Sequence, residues 1–399
     1  MSDRSGVTPR DGNRLTLLEN GADYFPALIA AFDGASREIL LETYIFEADA
    51  TGLAVAGALK RAARRGVTTR LLLDGFGCRT LPPGELAALR LAGVRVLHFR
   101  PEIGPRLRRG RLRRMHRKLA VVDGRVGFVG GINIVDDLNG RNLTAPRQDY
   151  AVQVEGPLVE DMHAAAHRLW RVVAWSRLGL RRSEGAWLRP HVAPAGDQQA
   201  AFLTRDNLGH RRAIESAYMK AIRRAKREIL IANAYFMPGV RFRHALVDAA
   251  QRGVRVVLLM QGNSDHLFVQ MASRAMYRHF LEHGLEVYEY HASELHAKVA
   301  VIDDDWATVG SSNIDPLSLL LAREANLVAH DAKLAGELRA SLEAAMEQGA
   351  HRIYRRLWHS IPWYARFGSW LAYGLARGLM GLAGYAQGWD DPKKTRRGG

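Results

Sequence analysis

Cysteine is nearly absent: Cys78 is the only one in 399 residues. No intramolecular disulfide and no cysteine-rich metal site can form, which fits a reducing compartment. Long apolar runs are missing too. No stretch of eighteen apolar residues escapes a charge, which predicts no membrane-spanning helix. Met1 to Arg14 is polar and charged and lacks the apolar centre of a signal peptide. No acidic cluster with metal-ligand spacing stands out, so neither a metal nor another cofactor is predicted.

Acidic residues are outnumbered. Against 57 Lys and Arg stand 41 Asp and Glu, a formal charge of +16. This predicts attraction to a polyanion, either nucleic acid or an anionic membrane surface. Charge alone does not choose between them. The length and a 47% apolar fraction support two lobes with sizeable cores.

One stretch occurs twice. The first copy runs His116-Arg117-Lys118-Leu-Ala-Val-Val-Asp123 and then Gly130-Gly131-Ile132-Asn133. The second runs His296-Ala297-Lys298-Val-Ala-Val-Ile-Asp303 and then Gly310-Ser311-Ser312-Asn313. Every shared position shifts by 180. The flanks repeat as well: Arg37-Glu38-Ile39-Leu40 returns as Arg227-Glu228-Ile229-Leu230, and Arg65-Gly66-Val67 as Arg252-Gly253-Val254. Whole lobes are duplicated, and the two motifs read as halves of one active site.

The apolar runs 37–46, 67–73 and 94–99 read as strands, with helices between them and a helix near 83–91. Residues 15–30 read as a short strand, a turn and a helix. Within each motif a strand follows the Lys, Asp opens a hairpin turn, and a second strand returns to the Gly turn. That Gly turn is expected to open a helix whose backbone N–H groups favour an anion. Strands alternating with helices predict an α/β fold. Its two duplicated lobes are related by a pseudo-twofold, and each is a mixed β-sheet flanked by helices. The expected domains are 1–200, 201–350 and a tail, 351–399.

Two histidines, two lysines and two asparagines suit a phosphate ester. A neutral imidazole can attack phosphorus and become a phosphohistidine. A second imidazole can donate a proton to the leaving oxygen and then take one from the acceptor. Lys118 and Lys298 would neutralise the non-bridging oxygens, with Asn133 and Asn313 as further donors. A nucleophilic imidazole needs its other nitrogen held by an acceptor. Each copy offers a carboxylate downstream, Asp149 after His116 and Glu324 after His296, and these are expected to orient the rings. Asp123 and Asp303 belong to the motif and are counted with its catalytic set, but they sit at turns, where Asp is favoured. Their expected role is structural or orienting.

The duplicated His-x-Lys-x4-Asp with its Gly and Asn extension resembles the phospholipase D superfamily, over roughly residues 15–350. The phrases Gln148-Asp149-Tyr150-Ala151-Val152, Asp265 after Gln261-Gly262, and Trp306 through Asp315-Pro316-Leu317-Ser318 look like bacterial cardiolipin synthases of the short form. The resemblance implies that His116 or His296 is the nucleophile and the other the acid/base. It supports Asp149 and Glu324 as histidine partners. It implies transfer of a phosphatidyl group to phosphatidylglycerol, giving cardiolipin, with phosphatidylglycerol or phosphatidylethanolamine as donor. It also implies a peripheral place on the cytoplasmic side of the inner membrane. Ala322, two residues before Glu324, stands where many relatives have Asn. A phospholipase D-type hydrolase, a transphosphatidylase with another alcohol and a phosphodiesterase nuclease are the alternatives.

Seven arginines lie between Arg106 and Arg117, and a headgroup contact beside the active-site mouth is the favoured reading over a solvated loop or a nucleic-acid contact. The tail carries Trp358, Trp363, Trp370 and Trp389, with Arg355, Arg366 and Arg377 spaced eleven apart. An apolar face with interfacial aromatics and an arginine ridge predicts an amphipathic helical tail lying in an anionic membrane surface. Nucleic acid is not an expected partner.

Overall fold

The computed structural model describes residues 8–100, 113–139, 145–178, 187–206, 212–262, 267–315, 322–355, 371 and 374–375. Most of the arginine run, Asp265, Ser318 and the tail tryptophans lie outside the described residues.

The first lobe comprises β1 (Arg10–Glu19), α1 (Asn20–Asp33), β2 (Glu38–Thr43), α2 (Ala50–Arg64), β3 (Thr68–Asp74), α3 (Pro83–Leu91), β4 (Arg95–Phe99), β5 (Arg114–Met115), β6 (Leu119–Val122), β7 (Val126–Gly130), β8 (Tyr150–Glu155) and α4 (Leu158–Leu178). The second comprises β9 (Gln198–Arg205), α5 (Ala213–Arg224), β10 (Glu228–Asn233), α6 (Val240–Gln251), β11 (Arg255–Gln261), α7 (Leu267–Arg274), α8 (Tyr277–Glu282), β12 (Glu286–Tyr290), β13 (Lys298–Ile302), β14 (Trp306–Gly310), β15 (Ala322–His330), α9 (Ala332–Gly349) and β16 (Ala350–Ile353).

The two mixed sheets are fused into one. Its order is β16-β12-β11-β10-β13-β14-β15-β9-β1-β8-β7-β6-β2-β3-β4, with β5 attached to β15. Read outward from the β1–β9 seam the order is the same in both directions, apart from the added β16. In each half a parallel trio (β2, β3, β4; β10, β11, β12) joins an antiparallel run. β9 crosses the boundary expected at residue 200, and β16 crosses the one expected at 350.

One apolar core is common to both lobes. Val129, Tyr150 and Val152 join Val309, Ala325 and Leu327 there, with Met162 of α4 and Leu338 of α9. Two further cores fill the opposite face, one beneath α1 and α2, the other beneath α5 and α6. Each fully buried Leu, Val or Phe contributes about 1.5–3 kcal/mol, so the shared core holds the lobes in fixed register. The site at the seam inherits that rigidity.

Local geometry has visible causes. β1 passes into α1 through the expected turn, which is a single left-handed residue, Asn20 (φ 57°). Among the described residues no helix follows Gly130-Gly131 before β8. Ile132 and Ile134 are buried, and Ile134 pairs in a bridge with Phe46, which keeps that segment extended.

Candidate active site

Each histidine hangs from the opposite lobe. β5 runs parallel to the start of β15, pairing Arg114 with Ala322 and Met115 with Arg323. The next backbone bond brings His116 N to Arg323 O at 2.9 Å. In the second copy Gln148 bridges Leu295, and His296 N donates to Gln148 O at 2.9 Å. The residue after each acceptor is a carboxylate, Glu324 in one case and Asp149 in the other.

The pairs are therefore crossed. His116 Nδ1 lies 3.2 Å from Glu324 Oε2 and 3.1 Å from Ser311 O. His296 Nδ1 lies 2.6 Å from Asp149 Oδ2. Sequence order suggested partners within each copy. The seam strands instead set each ring beside the other lobe's carboxylate. A ring whose Nδ1 donates to a carboxylate keeps Nε2 as its basic nitrogen.

Two equivalent positions are built differently. At Gly131 an added Cβ would collide with the Asp149 carboxylate. At the matching Ser311 the hydroxyl donates to Glu324 Oε2 at 2.5 Å. Arg205, almost fully buried, is the strand partner of Glu324 and donates to Ala322 O at 2.9 Å. Its counterpart in the first lobe is Asn20, whose Oδ1 accepts from Asp149 N at 2.9 Å.

These surroundings separate the two carboxylates. Burial pushes the Asp149 carboxyl up to about 6, despite Lys298 and the Tyr150 N–H. Burial opposes ionisation of Glu324 too, but His116, Arg205 and Lys118 outweigh it and hold that carboxyl below its ordinary value. Burial, reinforced by Lys118, lowers His116. Burial with Lys298 and Lys118 lowers His296 further.

Lys118 and Lys298 are buried, and each donates to the carbonyl of the histidine two residues before it. Burial brings Lys118 down to about 7 and lowers Lys298 as well. Asn133 accepts from Ile45 N at 3.2 Å through its amide oxygen, which turns its NH2 toward the site. Asn313 is buried at the matching place.

Asp123 and Asp303 are not in the catalytic cluster. They close the far ends of β6 and β13, roughly 16 Å along the chain from each lysine at about 3.3 Å per residue. Asp123 accepts from the backbone N–H of Ser36, Arg37 and Glu38, each at 2.8 Å. Asp303 does the same for Lys226, Arg227 and Glu228. Both take left-handed conformations, φ 53° and 50°. They staple the turn to the start of β2 or β10, in keeping with the structural role expected at a turn.

Sequence reasoning missed Arg205, Ser311 and Tyr44. The Tyr44 ring stands 4.8 Å from that of His116, edge-on, and 5.3 Å from Lys118 Nζ. Extending the repeated phrase from Arg37 sets Tyr44 against Ala234, which has no ring. That mismatch was the available signal.

The family described as "Cardiolipin synthase, PLD-like domain" matches residues 28–170 and 218–346. The chain belongs to this phospholipase D-like cardiolipin synthase family. It is 40% identical to cardiolipin synthase B of Salmonella typhi over 383 residues, covering 94% of this chain and 91% of that protein. Cardiolipin synthase B of Escherichia coli K12 is 39% identical over 393 residues, with the same coverage. Among solved structures, phosphatidylserine synthase of Haemophilus influenzae superposes with a TM-score of 0.61 at 13% identity, over 85% of this chain and 87% of that one. Polyphosphate kinase of Porphyromonas gingivalis gives 0.56 at 15% identity, over 93% and 53%. These two likenesses concern the fold. The family implies phospholipid substrates and association with a membrane. No helix among the described residues is long and apolar enough to cross one.

Proposed function

We propose that the protein makes cardiolipin by moving a phosphatidyl group from a phospholipid to phosphatidylglycerol through a phosphohistidine. The observation that carries this reading is the crossed pair, His116 with Glu324 and His296 with Asp149, meeting at one seam. One imidazole attacks phosphorus through Nε2, and the P–O bond to the head alcohol breaks. The other imidazole gives that oxygen its proton. The hydroxyl of phosphatidylglycerol then attacks, surrenders its proton to the second imidazole, and the P–N bond breaks. Lys118, Lys298, Asn133 and Asn313 stabilise the charge on the non-bridging oxygens. Asp149 and Glu324 hold the rings in the reactive tautomer.

Phosphatidylglycerol or phosphatidylethanolamine serves as donor. The protein works as a peripheral enzyme on the cytoplasmic face of the inner membrane. Its positive charge and aromatic tail hold it to anionic lipid, and nucleic acid is not a partner. The two lobes divide between α4 and β9, and the membrane-associating tail follows β16.

Incubating purified protein with vesicles of labelled phosphatidylglycerol tests the reading. Cardiolipin plus glycerol is the expected outcome. Phosphatidic acid alone would mark a hydrolase, and unchanged turnover after His116→Ala would remove the histidine mechanism.

A further inference from the structure

A cavity of about 330 Å³ opens against His296, within the range of roughly 300–1,000 Å³ typical of small-ligand sites. Asp149 and His296 form one wall, and Asn133 another. Asn133 is 7% exposed. Its amide oxygen accepts from Ile45 N–H, its NH2 has no partner among the described residues, and the residue lines the cavity. Among the described residues the rest of the polar lining is Glu47, Asp137 and Glu294, with the amide Asn139 and one cation, Arg147. That cation is already engaged. Arg147 Nε lies 2.7 Å from Glu294 Oε2, and Nη1 donates to Asp136 O at 3.1 Å.

We propose that this cavity is the head-alcohol pocket, taking uncharged polyols and ammonium-bearing alcohols and turning away anionic head groups. The assignment rests on the phosphatidyl-transfer reading and names the alcohols that its site accepts. Ionised carboxylates only accept hydrogen bonds, so they match hydroxyl and ammonium donors and repel a further phosphate or carboxylate. The Asn133 NH2 supplies a donor on the phosphorus side. Glycerol from phosphatidylglycerol and ethanolamine from phosphatidylethanolamine both satisfy this lining. An acceptor phosphatidylglycerol presents the same glycerol, with its own phosphodiester left outside the carboxylates.

The test uses the full chain with phosphatidylglycerol vesicles and equal concentrations of labelled glycerol, ethanolamine and glycerol 3-phosphate. Label entering lipid is counted for each. Glycerol and ethanolamine are expected to enter, and glycerol 3-phosphate roughly tenfold less or lower, as for one unfavourable charged contact. Glu47→Gln and Asp137→Asn should lower the ethanolamine-to-glycerol ratio, a comparison within one reaction that cancels any loss of folded protein. Glu294→Gln releases Arg147 and should raise glycerol 3-phosphate incorporation. Equal use of glycerol 3-phosphate and glycerol by the wild type, or ratios unmoved in all three variants, overturns the pocket. Absence of any lipid turnover overturns the transfer reading itself, and the pocket with it.

Discussion

His116 and Glu324 stand 208 residues apart in the chain, yet His116 Nδ1 lies 3.2 Å from Glu324 Oε2. The reciprocal pair, His296 and Asp149, crosses the same seam at 2.6 Å. Among the described residues neither motif histidine pairs with a carboxylate of its own lobe, so each ring is oriented by the other lobe. Glu324→Gln should therefore disturb His116 and leave His296 titrating as before. Loss of the carboxylate lowers the His116 pKa further and cuts turnover by roughly 10²–10⁴-fold, the scale for an oriented acid/base group. Histidine ring NMR on the variant, beside the rate, checks both statements. A change confined to His296 would refute the crossing.

Arg205 gives the two carboxylates different characters. It attracts Glu324, whereas Asp149 has only the neutral Asn20 in the equivalent place. A carboxylate with a depressed pKa keeps its charge until the pH falls through that low value. Arg205→Met removes one cause of the depression, so the acid limb of the rate profile should move to higher pH. Arg205→Lys should restore part of it. A profile that stays in place in Arg205→Met, in protein shown to be folded by circular dichroism, contradicts the role.

Much of this is legible in the sequence. The register-locked motifs named both histidines, both lysines and both asparagines, because residues two apart on a strand share a face. The repeat announced two α/β halves. The crossing was not legible. It depends on β5, a strand of two residues, and on the single bridge from Gln148 to Leu295. Neither is long enough to leave a periodic pattern. The β1–β9 union that fuses the sheets is likewise a long-range pairing, Arg10 with Ala200, with no local signature. The helix expected after Gly131 failed because burial of Ile132 and Ile134 prevailed over the anion-turn analogy.

Asp123 and Asp303 invite a separation of folding from chemistry. Each satisfies three backbone N–H groups at a strand entrance, as a capping residue does at a helix. Asp123→Ala or Asp303→Ala should cost about 1–2 kcal/mol of stability while leaving the kcat of the folded fraction nearly intact. Thermal melts paired with active-site titration measure both quantities. A large fall in kcat at unchanged Tm would return these residues to the catalytic set.

Lys118 sets an alkaline limit. Burial holds its free-enzyme pKa near 7, at about 7, so the ammonium loses its proton as pH rises through that value. The protonated form is the one that attracts a phosphodiester. kcat/KM, which reports groups of the free enzyme, should therefore fall above about pH 7. Lys118→Arg keeps its charge at any accessible pH and should flatten that limb even if its absolute rate is lower. A limb unchanged in Lys118→Arg assigns the titration to another group.

Gly131 and Ser311 are the last matched pair, and they predict opposite sensitivities. The Asp149 carboxylate occupies the space a Cβ at Gly131 would need. Gly131→Ala must push the carboxylate off His296, because the neighbouring Tyr150 backbone is fixed by its bond from Gly131 N at 2.9 Å. The substitution adds one methyl group to a packed site, a change that commonly costs 1–3 kcal/mol. Its larger effect falls on geometry, since displacement by about 1 Å can cost 10²-fold in rate. Ser311→Gly empties a corresponding space and removes the 2.5 Å donor to Glu324. Glu324 keeps Arg205 and His116 as partners in charge, so a loss of roughly tenfold or less is expected, for one hydrogen bond to a charged group. Rates and ring titrations of both variants decide the matter. If Gly131→Ala works as well as the wild type while His296 titrates normally, the tight fit around Asp149 has no part in catalysis.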